Sequence, residues 1–142
     1  MASKPHKKTQ EYFAGCWAAC MESLGETSTY LEKHTQTWYV TQWGAGPPSG
    51  GLDYNSQAFD DFRNAFGFQK SIRPAKQVSE NDVRGWLSTD CFLLIEQING
   101  NSAHARLAYC WENGGIKVMD PADGGYKTLF PVDLNQVAAL YW

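Results

Sequence analysis

Gln10-Glu11-Tyr12-Phe13-Ala14-Gly15-Cys16-Trp17-Ala18-Ala19-Cys20-Met21 is the stretch on which the reading of this chain turns. Gly15 interrupts regular structure and the residues from Trp17 to Leu24 are mostly helix formers. The pattern predicts a helix that begins at Cys16 and closes at Gly25 as a left-handed cap. Backbone N–H groups in a first helical turn have no partner within the helix and carry partial positive charge, so they favour a sulfur anion and can face an oxyanion. A thiol is a strong nucleophile only as its thiolate, and a neighbouring imidazolium is the second common means of favouring that ion.

The imidazole lies far downstream, in a region of different character. From Asp90 onward the chain reads as strands: Cys91 to Ile98 is nearly continuously apolar, Ala103 to Glu112 alternates, Ile116 to Met119 and Tyr126 to Phe130 are short β-type runs, and Ala138 to Trp142 follows. Asn99-Gly100 and Asn113-Gly114 are the expected hairpin turns. His104 lies near the start of one strand and Asp120 at the end of the next. Antiparallel pairing through Asn113-Gly114 therefore places them at the same end of the sheet, about 5 Å apart. The carboxylate can then hold one ring nitrogen while the other faces the thiol. Cys16 is the candidate nucleophile, His104 the base and acid, and Asp120 the orienting group; the Gln10 side chain and the Cys16 backbone N–H are the candidate oxyanion donors.

Between these regions the pattern is helical. Thr29 with Glu32 forms a capping box for a second helix carrying Leu31, Thr35, Trp38, Tyr39, Gln42 and Trp43, which stops at Gly44. Residues 44–51 form a Gly/Pro surface loop that lacks both the Gly-Lys-Ser/Thr of a phosphate loop and, with Ser49 in its place, the third glycine of a dinucleotide fingerprint. Asn55 or Ser56 caps a third helix, with Ala58, Phe59, Phe62, Ala65 and Phe66 as its core face and Gly67 as its end. Ser79 and Asp82 start a fourth through Trp86 and Leu87. Helices followed by an antiparallel sheet specify an α+β fold, with the first helix across the sheet and one domain over 10–142 after a flexible basic tail at 1–9. Candidate cleft residues are Gly15, Trp17 and Ala103, next to the thiol and imidazole, and Trp43 beside the loop, because loops on rigid scaffolds often contact substrate. For Trp17, core packing and shielding of the His104–Asp120 pair are both open.

At 142 residues the chain suits one domain, and 43% hydrophobic content with six Trp, seven Tyr and seven Phe specifies a packed globule. A net charge of −3 supplies no basic field for nucleic acid, and Lys4, His6, Lys7 and Lys8 read as a solvated patch. No apolar run reaches the roughly twenty residues of a membrane span, and the first ten residues lack the apolar segment of a signal peptide, so a soluble protein is expected. Cys16, Cys20, Cys91 and Cys110 read as reduced. Cys20 with His34, Cys91 or Cys110 fits no compact zinc motif, and Asp120 with Asp123 is too few oxygen donors for calcium, so no metal and no cofactor is expected.

The order Gln10, Cys16-Trp17, His104 and Asp120 resembles the papain-like cysteine peptidases. Ala14-Gly15-Cys16-Trp17 lacks the extra cysteine of the plant and lysosomal signature, and aspartate stands where those enzymes carry asparagine. In that respect the chain resembles the compact bacterial branch, including the leader peptidases that cut after two glycines, whose His-strand-hairpin-Asp-Pro pattern is similar to His104-Ala105-Arg106 through Val118-Met119-Asp120-Pro121. It also resembles small papain-like toxin domains delivered into competing bacteria as the last module of a larger effector. These resemblances imply a minimal papain-like fold, a protein or peptide substrate, cleavage after Gly-Gly on the leader-peptidase side, and a neutralising immunity or inhibitor protein on the toxin side. The same reactive groups also serve amidase, deamidase and acyl-transfer chemistry, and a catalytically silent binding module is the reading of another class.

Overall fold

The computed structural model describes residues 4–28, 31–53, 55–68, 70–71, 79–87, 92–99, 102–130 and 137–141. Within them the elements run α1 (Cys16–Thr27), α2 (Gln36–Gln42), α3 (Gln57–Phe66), β1 (Lys70–Ser71), α4 (Glu80–Trp86), β2 (Leu93–Asn99), β3 (Ser102–Glu112), β4 (Gly115–Asp120), β5 (Gly125–Leu129) and β6 (Val137–Tyr141). The strands form one antiparallel sheet in the order β1-β6-β2-β3-β4-β5. This is the expected α+β arrangement. No helix among the described residues is long and apolar enough to cross a membrane.

The helix starts follow local chemistry. Ser56 and Ser79 each accept a hydrogen bond from the backbone N–H three residues on, at Phe59 and Asp82, and Gly67 ends α3 in the left-handed region at φ 67°. Two expectations are corrected. The second helix starts later than the capping-box reading placed it: Glu32 lies in coil and the Thr35 hydroxyl caps α2 by accepting from Trp38 N–H, while Thr29 lies outside the described residues. Gly25 is not a cap, since α1 continues to Thr27. A Cβ on Gly25 would sit 2.9 Å from the Glu32 carbonyl oxygen, so glycine is required there by the close approach of the returning chain.

The core has two parts, one on each face of the sheet. Trp17, Met21 and Leu24 of α1 pack with Tyr39, Phe59 and Phe62 onto Leu94, Ala105, Leu107 and Met119. Val83 and Leu87 cover Leu93, Ile95, Ala108, Ile116 and Val118 on the other side. The alternation along β2, β3 and β4 assigns successive residues to opposite faces, as a sheet covered by helices on both sides requires. The Asn113-Gly114 turn has φ of 53° and 76°, the paired positive values of a tight hairpin; Gly100 of the other expected turn lies outside the described residues.

Residues 4–9, expected as a flexible tail, run along the fold under several ties. Tyr126 Oη donates to the Pro5 carbonyl, Ser23 Oγ to the His6 carbonyl, and Lys8 pairs with Glu26 and Glu22. Gln36, 1% exposed, pins the next stretch: its Nε2 donates to the Thr9 carbonyl and its Oε1 accepts from Glu11 N–H.

Candidate active site

Gly15 is the N-cap of α1, with no side-chain acceptor over the first turn. The helical hydrogen bonds begin at Ala18 and Ala19, both donating to the Gly15 carbonyl, so Cys16 and Trp17 N–H head the helix. The 44–51 loop fixes this entry: Ala14 N–H donates to the Ser49 carbonyl at 3.0 Å and Trp17 Nε1–H to the Gly50 carbonyl at 2.8 Å. Internal bonds from Ala45 to Gly51, Gly46 to Val40 and Gly50 to Gly46 hold the loop itself, so its evident work is to buttress the start of α1.

The imidazole and carboxylate meet because of a β-bulge. Counting from the turn, Glu112 faces Gly115 and Cys110 faces Lys117; past the extra residue Tyr109, Ala108 faces Val118 and Leu107 faces Met119. Continuing that register sets Arg106 opposite Asp120. Without the bulge Leu107 would stand there, and His104 would lie on the opposite face. With it, His104 and Arg106 share the face of Asp120: His104 Nε2 lies 2.7 Å from Oδ1, and Arg106 Nε donates to Oδ2 at 3.0 Å.

Asp120 is 2% exposed and carries four partners, the others being Ala122 N–H at 3.0 Å and Lys127 Nζ at 3.2 Å. Burial pushes its carboxyl up. The Ala122 N–H, His104, Arg106 and Lys127 more than offset that and hold it well below the usual carboxylate range. An ionised carboxylate has no proton to give, so His104 Nε2 is the donor of their bond, which leaves Nδ1 as the basic nitrogen of the neutral ring. The bond to Asp120 in turn raises the Lys127 ammonium.

The thiol lies on the strand residue that follows His104. Among the described residues the β3–β4 pairing stops at Leu107, because β4 ends at Asp120 and the chain turns through 121–124. α1 takes the vacated place beside β3: Ala105 N–H donates to Cys16 Sγ at 3.2 Å, and Cys20 Sγ donates to the Ala105 carbonyl at 3.7 Å. Cys16, His104 and Asp120 are thereby gathered at one end of the β3–β4 ribbon. A sulfur anion at that point would meet the head of a helix and a backbone N–H donor.

Gln10 lies beside the same turn, its N–H donating to the Pro121 carbonyl at 2.8 Å. Its Nε2 donates to the Tyr12 and Phe13 carbonyls, both at 3.0 Å, so contact with a substrate oxygen requires one of these bonds to be exchanged. Of the other sequence candidates, Ala103 is exposed and Gly15 buried. Trp17 belongs to the helical core, edge-on to Tyr39 and Phe62. Trp43 is half-buried against Phe62 and Phe66. Cys16, Cys20 and Cys110 are buried, and Cys91 lies outside the described residues. Arg106, Lys127, Cys20 and Gln36 were not singled out as parts of a site by sequence reasoning. Arg106 carried a usable signal, since a residue two from His104 on a strand shares its face.

No protein-family model matches the chain, and no curated protein sequence matches it. Among solved structures it is similar to the peptidase domain of Streptococcus ComA, a bi-functional ABC transporter involved in a quorum-sensing pathway. The TM-score is 0.65, with 11% sequence identity, over 97% of this chain and 98% of that one. The chain has the fold of a compact papain-like cysteine peptidase domain.

Proposed function

We propose that the chain is a cysteine peptidase that works through Cys16, His104 and Asp120. The observation that carries this is the joint placement of the thiol and the carboxylate around His104: Asp120 holds Nε2 at 2.7 Å, and the peptide N–H following His104 is on Cys16 Sγ. The peptidase fold supports the choice of a peptide bond over other acyl substrates.

In the proposed reaction the Cys16 proton passes to His104 Nδ1, and the sulfur attacks the carbonyl carbon of a peptide bond. The oxyanion that forms is met by the Cys16 N–H and by Gln10 Nε2 once it has exchanged a carbonyl partner. His104 returns its proton to the leaving amine as the C–N bond breaks, leaving a thioester on Cys16. It then takes a proton from water, which attacks the thioester and restores the thiol. Asp120 keeps the ring in the required tautomer and stabilises its charged form.

The likeness of the His104–Asp120-Pro121 segment to leader peptidases extends the proposal to cleavage after Gly-Gly. The likeness to small toxin domains extends it to an effector acting on target-cell proteins, with an immunity protein as partner. Mapping of new protein N-termini in cells expressing the wild type against Cys16→Ala tests these readings. Ends that depend on Cys16 support a peptidase, and their clustering after glycine pairs supports the narrower specificity. Identical N-termini in the two cell populations contradict the proposal.

A further inference from the structure

Ala105 is fully buried, so its backbone N–H and carbonyl must find partners within the protein. In an antiparallel strand both groups of one residue point to the same side, here the side that β4 has left. Two cysteines one helical turn apart fill the gap, Cys16 Sγ accepting from the N–H and Cys20 Sγ donating to the carbonyl. Both sulfur bonds fall on one residue, and that residue is bonded directly to His104. The small Ala105 side chain lets α1 lie this close to the strand.

We infer that Cys20 is a positioning residue for the proposed reaction, fixing β3 against α1 so that the His104 ring is held at reacting distance from the Cys16 sulfur. Cys16 cannot serve alone as the anchor, because its sulfur must move onto the substrate carbon and its bond to Ala105 N–H changes during turnover. The Cys20 bond to the Ala105 carbonyl persists through the cycle, and it keeps the strand in register while the nucleophile is acylated. Cys20, buried and one turn deeper in the helix, touches no substrate.

The inference rests on Cys16 as nucleophile, and the test separates the two. Cys20→Ala removes the donor and Cys20→Ser keeps one of shorter reach. Peptide turnover, thermal stability and amide hydrogen exchange at Ala105 are measured in each, with Cys16→Ala as the reference for activity. Positioning predicts a kcat loss of about tenfold in Cys20→Ala with KM little changed, and a smaller loss in Cys20→Ser. It also predicts faster Ala105 exchange in Cys20→Ala. A packing role predicts the reverse order, because a buried hydroxyl is tolerated less well than a methyl, so a kcat that follows the melting temperature overturns the inference. Unchanged Ala105 exchange in Cys20→Ala overturns it too. Turnover undiminished in Cys16→Ala sinks the peptidase reading, while the exchange measurement still reports on the clamp.

Discussion

His104 Nε2 lies 2.7 Å from Asp120 Oδ1 across two strands whose register is displaced by one residue at Tyr109. The displacement decides which face of β3 meets the carboxylate. It also sets Arg106 on the second carboxylate oxygen, where Lys127 joins it from β5, so Asp120 serves at once as the orienter of an imidazole and as the counterion of two cations.

Replacing Asp120 with asparagine keeps its shape but takes the shared anion from Arg106, which is partly buried, and from Lys127, which is exposed. Because both cations keep contact with water, the cost is about 1–2 kcal/mol, below that of breaking a fully buried ion pair. Urea unfolding of Asp120→Asn should show a loss of that order, together with a fall in kcat that exceeds any change in KM.

The acid limb of stability should carry the same residue's signature. Its carboxyl titrates lower in the fold than in the unfolded chain, where the ordinary value is about 3.9. Its stabilisation is therefore complete above that value and is lost as pH falls through it toward the folded value. The stability gap between wild type and Asp120→Asn, followed by denaturant unfolding, should be constant near neutrality and shrink below about pH 4.

Gly50 should be intolerant of a side chain. Its φ is +71°, and a Cβ would lie 2.7 Å from Tyr12 Cβ and 3.0 Å from Val40 Cγ1. Gly50→Ala should cost about 2 kcal/mol in thermal or urea unfolding. It should also slow turnover, because the loop carbonyls at Ser49 and Gly50 hold Ala14 and Trp17 on either side of the thiol.

Gln10→Ala should lower kcat about a hundredfold if the side chain exchanges a Tyr12 or Phe13 carbonyl for the oxyanion. Steady-state assays should find KM nearly unchanged, since the contact forms as the charge develops. A loss of only a few fold would restrict Gln10 to bracing the turn before Gly15.

Much of this was readable from the chain because it is decided locally. Ser56 and Ser79 cap their helices through their own hydroxyls, Asn113-Gly114 makes its turn from two adjacent residues, and alternation along β3 marks its buried side. The order of Gln10, Cys16, His104 and Asp120 pointed to a peptidase fold that the structure shares. What sequence could not display depends on distant atoms. Tyr109 carries no bulge signature, yet it sets the face of His104. Gly25 looked like a cap because its close neighbour, the Glu32 carbonyl, is supplied by the returning chain. Cys20 and Gln36 gain their roles only when α1 meets β3 and α2 meets the N-terminal segment.

The most direct test of the account is the rate at which Cys16 is alkylated by iodoacetamide between pH 5 and pH 9, assigned by peptide mass, in wild type and in His104→Ala. The account predicts rapid labelling that stays high at and below neutral pH in the wild type. In the variant it predicts the slow, steeply pH-dependent labelling of an ordinary thiol, whose pKa is about 8.5. Indistinguishable pH–rate curves for the two proteins would contradict it.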